Sequence, residues 1–291
     1  MANIRAYYSL AKPGVLYGNV LTTLAGFLFA AGYAKQFNVV TFMATIFGTT
    51  LVIAGACVLN NILDQDIDRM MERTRNRAVA TGVIKSQNAA IFSAVLTVVG
   101  LIILIAWVNL LVVTIGVIGF VVYVWLYGAL SKRRSIHGTL VGSISGAMPI
   151  LAGYCAVTNR IDTAAVLLFL ALFFWQFPEF YSIAIYRRAE YRAANIPVMS
   201  VIKGNRITIA QIYIYTILFV LSTLLLTPLG YAGWTYFVVM SALGIYWVWL
   251  SAQGLHMDAA KVDSWARKNF RYSLLVLLAF SAILSIGSLL P

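Results

Sequence analysis

Apolar residues come along this chain in long, nearly unbroken blocks, and the polar residues gather in the gaps between them. A helix rising 1.5 Å per residue needs about 20 such residues to cross about 30 Å of hydrocarbon. Nine blocks reach that length, at 14–34, 38–59, 88–107, 109–130, 138–158, 162–185, 207–228, 231–254 and 270–290. They predict an all-α integral membrane protein with nine transmembrane helices. No gap is long or Gly/Ser-rich enough to separate independent units, so residues 1–291 read as one membrane domain. Composition agrees, with 62% hydrophobic residues, 10% charged and a mean hydropathy of +0.88. Pro149 and Pro178 fall inside blocks and are expected to kink their helices and help shape a cavity.

The polar gaps alternate in character. Nineteen of the 21 lysines and arginines lie in the N-terminal segment and the even-numbered gaps, and only Lys35 and Arg160 oppose them. Positive charge stays on the cytoplasmic side of short loops, which predicts a cytoplasmic N-terminus and an outside C-terminus in a bacterial inner membrane. The net charge of +12 then follows from topology and calls for no nucleic acid partner. The first block is too long for a cleavable signal. Cys57 and Cys155 both fall within blocks, without a metal-ligand or redox spacing, and read as packed thiols. The glycines of GTLVGSISG, at 138, 142 and 146, form a stripe suited to close helix packing. The turns on the predicted outer side are short and three of the inner connections are long, so function is expected on the cytoplasmic face.

One long connection begins NNILDQDIDRMMERTRNR, residues 60–77, and holds four of the chain's nine acidic residues. On a helix continuing from the second block, Asn60, Asp64 and Asp68 fall at i, i+4 and i+8 and form one stripe. Successive members are about 6 Å apart along the axis, a spacing at which two carboxylates can share Mg²⁺ through waters or phosphate oxygens. Asp66 points about 160° away and drops out. Hard Mg²⁺ keeps few protein ligands and is often completed by phosphate, so acids beside arginines suggest a diphosphate. Arg69, Arg73 and Arg77 are themselves four apart, and Arg73, Arg77 and Lys85 are candidates for neutralising it, with Lys132 reaching in from the cytoplasmic end of the fourth block, after Tyr127. A solvated, salt-bridged helix end remains the competing reading of the same acids.

A second stretch, FFWQFPEFYSIAIYRRAEYRAANIPVMSVIKG at 173–204, carries Glu179 inside a block, where an ionisable group is costly and marks a candidate site. Trp175, Gln176 and Tyr181 are candidate cavity walls, and their aromatic members suit a carbocation. Glu190 lies 11 residues beyond Glu179, nearly in register if one helix runs through both.

NxxxDxxxD running into DRxxxRTxxR resembles the UbiA superfamily of intramembrane prenyltransferases. AKPGVLYGN, YGALSKRRS, SGAMPILAGYCA, WQFPEFYSIAIYRRAEYRAANIPV and WARKNF are similar to its haem-farnesylating branch, and the likeness spans nearly the whole chain. It implies a nine-helix bundle with a central cavity open to the cytoplasmic side. It further implies Mg²⁺ and farnesyl diphosphate held by Asn60, Asp64 and Asp68, and Arg73, Arg77, Tyr127 and Lys132 around the leaving group. Haem b is the implied acceptor, beside Trp175, Gln176, Glu179, Arg187, Arg188 and Glu190, with handover of product to haem A synthase or haem-copper oxidase assembly. Three features depart from the pattern: Glu179 stands where the branch's WQxPH motif has histidine, the superfamily's second aspartate motif is reduced to Glu190 among arginines, and Ser200 and Ala78 stand where proline is often found. A quinone or other aromatic acceptor, and more remotely a transporter, stay open on the residues alone.

Overall fold

A computed structural model describes residues 4–287. Among them, nine helices are long and apolar enough to cross a membrane. After a short helix α1 (Ile4–Leu10) come α2 (Pro13–Ala34), α3 (Val39–Leu63), a short α4 (Gln65–Met70) and α5 (Ser86–Trp107). The fourth span begins as α6 (Leu110–Val121), widens into a π-helix over Val122–Ser131, and closes as α7 (Lys132–Arg134). Then follow α8 (Gly138–Thr158), α9 (Thr163–Tyr186), two short helices α10 (Arg188–Ala193) and α11 (Met199–Ile202), and the spans of α12 (Gly204–Leu224), α13 (Trp234–Gln253) and α14 (Val262–Ile286). The last span starts earlier than its apolar block, because the polar segment before it is already helical. The predicted end at 288–290 lies outside the described residues.

Side chains at the poorly charged end of the bundle start the helices cleanly. Asn38 accepts from the Thr41 amide, Asn109 from Val112 and Asp162 from Ala165, each pairing an otherwise orphaned first-turn N–H. These caps permit the short turns between spans. At the other end, the basic one, the connections carry α4, α10 and α11.

Helices α3, α8 and α9 are the most buried spans, whereas α5 and α6 leave most of their surface to lipid. Small residues bring α2 and α8 close: a Cβ at Gly26 would lie 2.2 Å from the Ile150 carbonyl oxygen, and one at Gly153 would lie 2.1 Å from that of Thr23. Such backbone approach is how membrane helices gain packing where no hydrophobic drive separates lipid from protein. The helices continue through Pro149 and Pro178, both buried. Cys57 and Cys155 are free, buried thiols.

Two expectations of helical continuity fail. The helix carrying Asn60 stops at Leu63, and the segment after Met70 is a series of turns up to Lys85. The four-residue spacing of Arg69, Arg73 and Arg77 is therefore not a helical stripe: Arg69 Nε donates to the Ala80 carbonyl and pins the loop instead. Likewise α9 ends at Tyr186, and Glu190 sits on the separate α10.

Candidate active site

The bundle encloses a cavity of about 720 Å³ between α2, α3, the π-helical segment, α8, α9 and α14. Its polar end is built first by α3 and α4. Asp64 is the junction residue between them, yet its amide still donates to the Asn60 carbonyl at 2.9 Å and the Asp68 amide to the Asp64 carbonyl at 2.8 Å. The i, i+4 relation survives the break, and Asn60, Asp64 and Asp68 all line the cavity. All three are almost wholly buried. Asp66 turns outward and pairs with Arg133 at 2.6 Å. That guanidinium holds the Asp66 carboxyl down to about 2.

Burying carboxylates is costly without partners, and here cations arrive from three other parts of the fold. Lys132 Nζ reaches Asp64 Oδ2 at 2.6 Å from α7. Arg77 NH1 meets both oxygens of Asp68, at 2.9 and 2.8 Å, from the loop after α4, and Thr74 anchors that loop by donating to the Asp68 carbonyl. Lys12, just before α2, donates through Nζ to Asn60 Oδ1. Arg73 lines the same end. Burial pushes the Lys12 ammonium down to about 8, with the Cys57 thiol and Asp64 working against the shift and Arg77 and Lys132 adding to it. The acids thus retain little spare capacity, with one exception: Asp64 Oδ1 is buried with no partner, as is Asn60 Nδ2.

The π-helical segment supplies a further wall. Tyr123 and Tyr127, four residues apart on it, stack with ring centroids 5.8 Å apart, and both line the cavity. Gly128 lets Asn60 approach, since a Cβ there would lie 3.1 Å from Asn60 Nδ2.

Beyond the polar end the walls turn apolar. Val52, Ile115, Met148, Ala152, Leu172 and Leu277 line the interior. From α9, Trp175, Gln176 and Glu179 line one side. Trp175 Nε1 donates to the Ser273 carbonyl at 2.9 Å, and Gln176 Nε2 donates to the carbonyls of Ser143 and Leu172. Gly142 and Gly146 do more than pack helices: Cβ atoms there would lie 3.2 Å from the Tyr127 ring and 2.0 Å from Gln176 Oε1. Tyr181 is buried against Phe177, off the cavity wall.

Four other expected site residues also fall outside the cavity wall. Lys85 is exposed at the start of α5, carried away because the 71–85 loop folds back over α4. Arg187, Arg188 and Glu190 lie at the α9–α10 junction, where Arg187 binds Glu190 at 2.7 Å. Lys12 and Tyr123 were not anticipated. Lys12 stands in AKPGVLYGN and counted only toward topology; its φ of 53°, in the left-handed region a lysine seldom adopts, is visible only in the folded chain.

Comparison with known proteins shows the family and the fold. The UbiA prenyltransferase family pattern covers residues 19–284. The chain is 41% identical over 288 residues to a protein named protoheme IX farnesyltransferase from Photorhabdus laumondii, covering 99% of this chain and 97% of that one. A protein of the same name from Yersinia enterocolitica is also 41% identical, with 99% and 96% covered. Among solved structures, a digeranylgeranylglyceryl phosphate synthase superposes with a TM-score of 0.82 at 18% identity over 98% of both chains. A UbiA homologue from Archaeoglobus fulgidus, bound to GPP and Mg²⁺, gives 0.68 at 13% identity over 94% of this chain and 99% of its own. The full-length likeness, the nine-span fold and the acid-lined cavity together make this chain a member of the UbiA prenyltransferase family.

Proposed function

We propose that the protein transfers the farnesyl group of farnesyl diphosphate to a vinyl group of haem b, giving haem O. The observation that carries this reading is one cavity that joins a cluster of acids and cations to apolar walls, room for a charged head and a hydrocarbon tail together. The 41% identity to proteins named for that reaction supports haem as the acceptor.

The donor set at the polar end fits a divalent cation. Asp64, Asp68 and Asn60 offer hard oxygens, and Asp64 Oδ1 is buried without a partner. These residues would hold Mg²⁺, which supplies charge neutralisation to a leaving diphosphate. Lys12, Arg73, Arg77 and Lys132 surround the same space and stabilise negative charge as the allylic C–O bond breaks. The phosphate oxygens would take over cations now engaged by Asp64 and Asp68, freeing those carboxylates for the metal. Tyr123 and Tyr127 offer aromatic faces to the farnesyl cation, and the apolar walls keep water from it. The terminal vinyl carbon attacks C1 of that cation, which leaves positive charge on the carbon next to the porphyrin. Water adds there and loses a proton, completing the hydroxyl-bearing side chain. Arg187 and Arg188, at the α9–α10 junction outside the cavity wall, would meet only propionates that project from the cavity, while Glu190 is bound by Arg187.

Positive-inside charge supports a cytoplasmic N-terminus and an outside C-terminus, and the bacterial relatives support an inner-membrane location. The product stays in the bilayer, available to haem A synthase or haem-copper oxidase assembly. Membranes carrying the protein, incubated with haem b, farnesyl diphosphate and Mg²⁺, are expected to yield a more hydrophobic haem by chromatography. No such product, alongside efficient prenylation of a quinone precursor, would replace haem with that acceptor.

A further inference from the structure

Glu179 is the one acidic side chain on the cavity wall away from the polar end, and it makes no hydrogen bond or ion pair among the described residues. Every other acid lining the cavity, Asp64 and Asp68, is held by a cation. A carboxyl group placed in an apolar wall without a partner is costly to the fold, so its presence calls for a task. Its depth argues against the diphosphate. Glu179 lies seven residues before the end of α9 at Tyr186, about 10 Å along the axis. Asp64 sits at the very end of α3, on the same basic end of the bundle. Glu179 is therefore set back from the basic end, toward the apolar walls of the cavity.

One turn earlier on the same face is Gln176, i, i+3 from Glu179, with Cβ atoms about 5–6 Å apart at that spacing. Both hydrogens of its amide nitrogen are spent on the Ser143 and Leu172 carbonyls, which fixes the orientation of the group. Its Oε1 accepts no hydrogen bond among the described residues, and it lies over Gly146, where any Cβ would displace it. The wall thus carries, one helical turn apart, an amide oxygen held in place and a carboxyl group without a partner. A water molecule bridging them would donate both hydrogens to protein and turn its lone pairs toward the cavity.

We propose that Glu179 and Gln176 together hold the water that captures the carbocation left on the acceptor after prenyl transfer, and that Glu179 takes its proton. This rests on the haem reading given above. Attack by the vinyl group forms the new C–C bond and leaves an electron-poor carbon beside the ring. The water oxygen bonds to that carbon, and one of its protons passes to the Glu179 carboxylate. Without a base holding water there, the same cation is relieved by losing a proton from the adjacent CH₂, which gives an alkene one water lighter. Glu179 thereby decides which of two products forms, and the carboxylate also favours positive charge on the neighbouring carbon.

The test is the product ratio, which is independent of how fast the enzyme turns over. Full-length protein in lipid vesicles is supplied with haem b, farnesyl diphosphate and Mg²⁺, and the haems are resolved by mass. Wild-type protein is expected to give the hydroxylated haem. Glu179→Gln is expected to raise the ratio of dehydrated to hydroxylated product at least about 10-fold, and Glu179→Asp, which keeps a carboxyl, to return most of it. Gln176→Met, which keeps the length but loses the acceptor, should move the ratio the same way by a smaller factor. An unchanged ratio in Glu179→Gln and Gln176→Met, with haem still farnesylated, would overturn the assignment while leaving the acceptor reading intact. Should Glu179→Gln not accumulate, Glu179→Met takes its place, and a wild-type ratio in both Glu179→Met and Gln176→Met overturns it equally. Wild-type protein that leaves haem unmodified would remove the acceptor reading, and this role with it.

Discussion

The two regions of the cavity solve the problem of polar groups in a membrane in opposite ways. At the basic end, carboxylates from α3 and α4 are met by cations from the segment before α2, the loop after α4 and the α7 turn, so that Asp64 and Asp68 each have a charged partner. Along α9, by contrast, Glu179 stands among apolar and amide groups with no cation in contact. A crowded network can be redistributed: when an anionic ligand arrives, its oxygens replace the carboxylates on the same lysines and arginines. A lone group cannot trade partners, and its contribution is fixed by where the wall holds it. The first region is suited to binding and releasing charge, the second to acting on one atom.

The largest expected effect breaks the crowded side. Asp64→Asn or Asp68→Asn should lower the release of diphosphate by about 10²–10³-fold, the loss seen when one preorganised electrostatic contact to a transition state goes. Each also leaves a cation short of its partner, so the folded state should suffer as well. Asp64→Asn combined with Lys132→Gln separates the two effects. The pair should recover thermal stability measured by unfolding in detergent, yet recover no turnover. Full activity in either single variant would remove the acids from the chemistry.

A smaller effect is expected at the α8–α9 wall. Gly146→Ala places a methyl 2.0 Å from Gln176 Oε1, 2.7 Å from its Cδ and 2.9 Å from its Nε2, so the amide must leave its place and give up two hydrogen bonds. The cost should be about 1–3 kcal/mol of stability. Gln176→Ala removes the obstacle, and the double variant should be no less stable than Gln176→Ala alone. Such non-additivity is the signature of direct contact. Additive losses would mean that Gly146 serves helix packing and has no part in seating the amide.

Much of this was legible in the sequence for physical reasons that differ between the regions. Apolar block length fixes spans because every backbone polar group must be satisfied within a helix in lipid. The acid spacing at 60, 64 and 68 survived even though the helix breaks at Asp64, because the amide-to-carbonyl bonds bridging the junction keep the i, i+4 pattern. Lys85 and Arg69 were less readable, since the path of a loop depends on contacts such as Gln65 to the Val79 carbonyl that no local pattern announces. Lys12 escaped for the same reason: its partner Asn60 is 48 residues away. Tyr123, four residues before Tyr127, lay within reach of ordinary helical spacing, but nothing in its apolar block singled it out. Glu179, alone in its block, drew attention by cost alone.

The smallest expected effect tests the boundary of the crowded region. Asp66 lies between Asp64 and Asp68 in sequence and shares their charge, but its side chain is 67% exposed and it binds Arg133 outside the cavity. Its folded-state carboxyl is held at about 2, below the ordinary value of about 3.9. The pair therefore adds stability above about pH 4, and loses it as pH falls through about 2. Exposure to solvent screens the interaction, so at neutral pH the contribution is about 1 kcal/mol or less. Asp66→Asn should leave turnover within about twofold of wild type and lower the unfolding midpoint only slightly. Because Arg133 also donates to the Leu63 carbonyl at the end of α3, its second contact should keep the α7 turn in place without the carboxylate. A loss of turnover comparable to that of Asp64→Asn would extend the catalytic acids to the outer face of α4 and erase the distinction that the geometry draws between them.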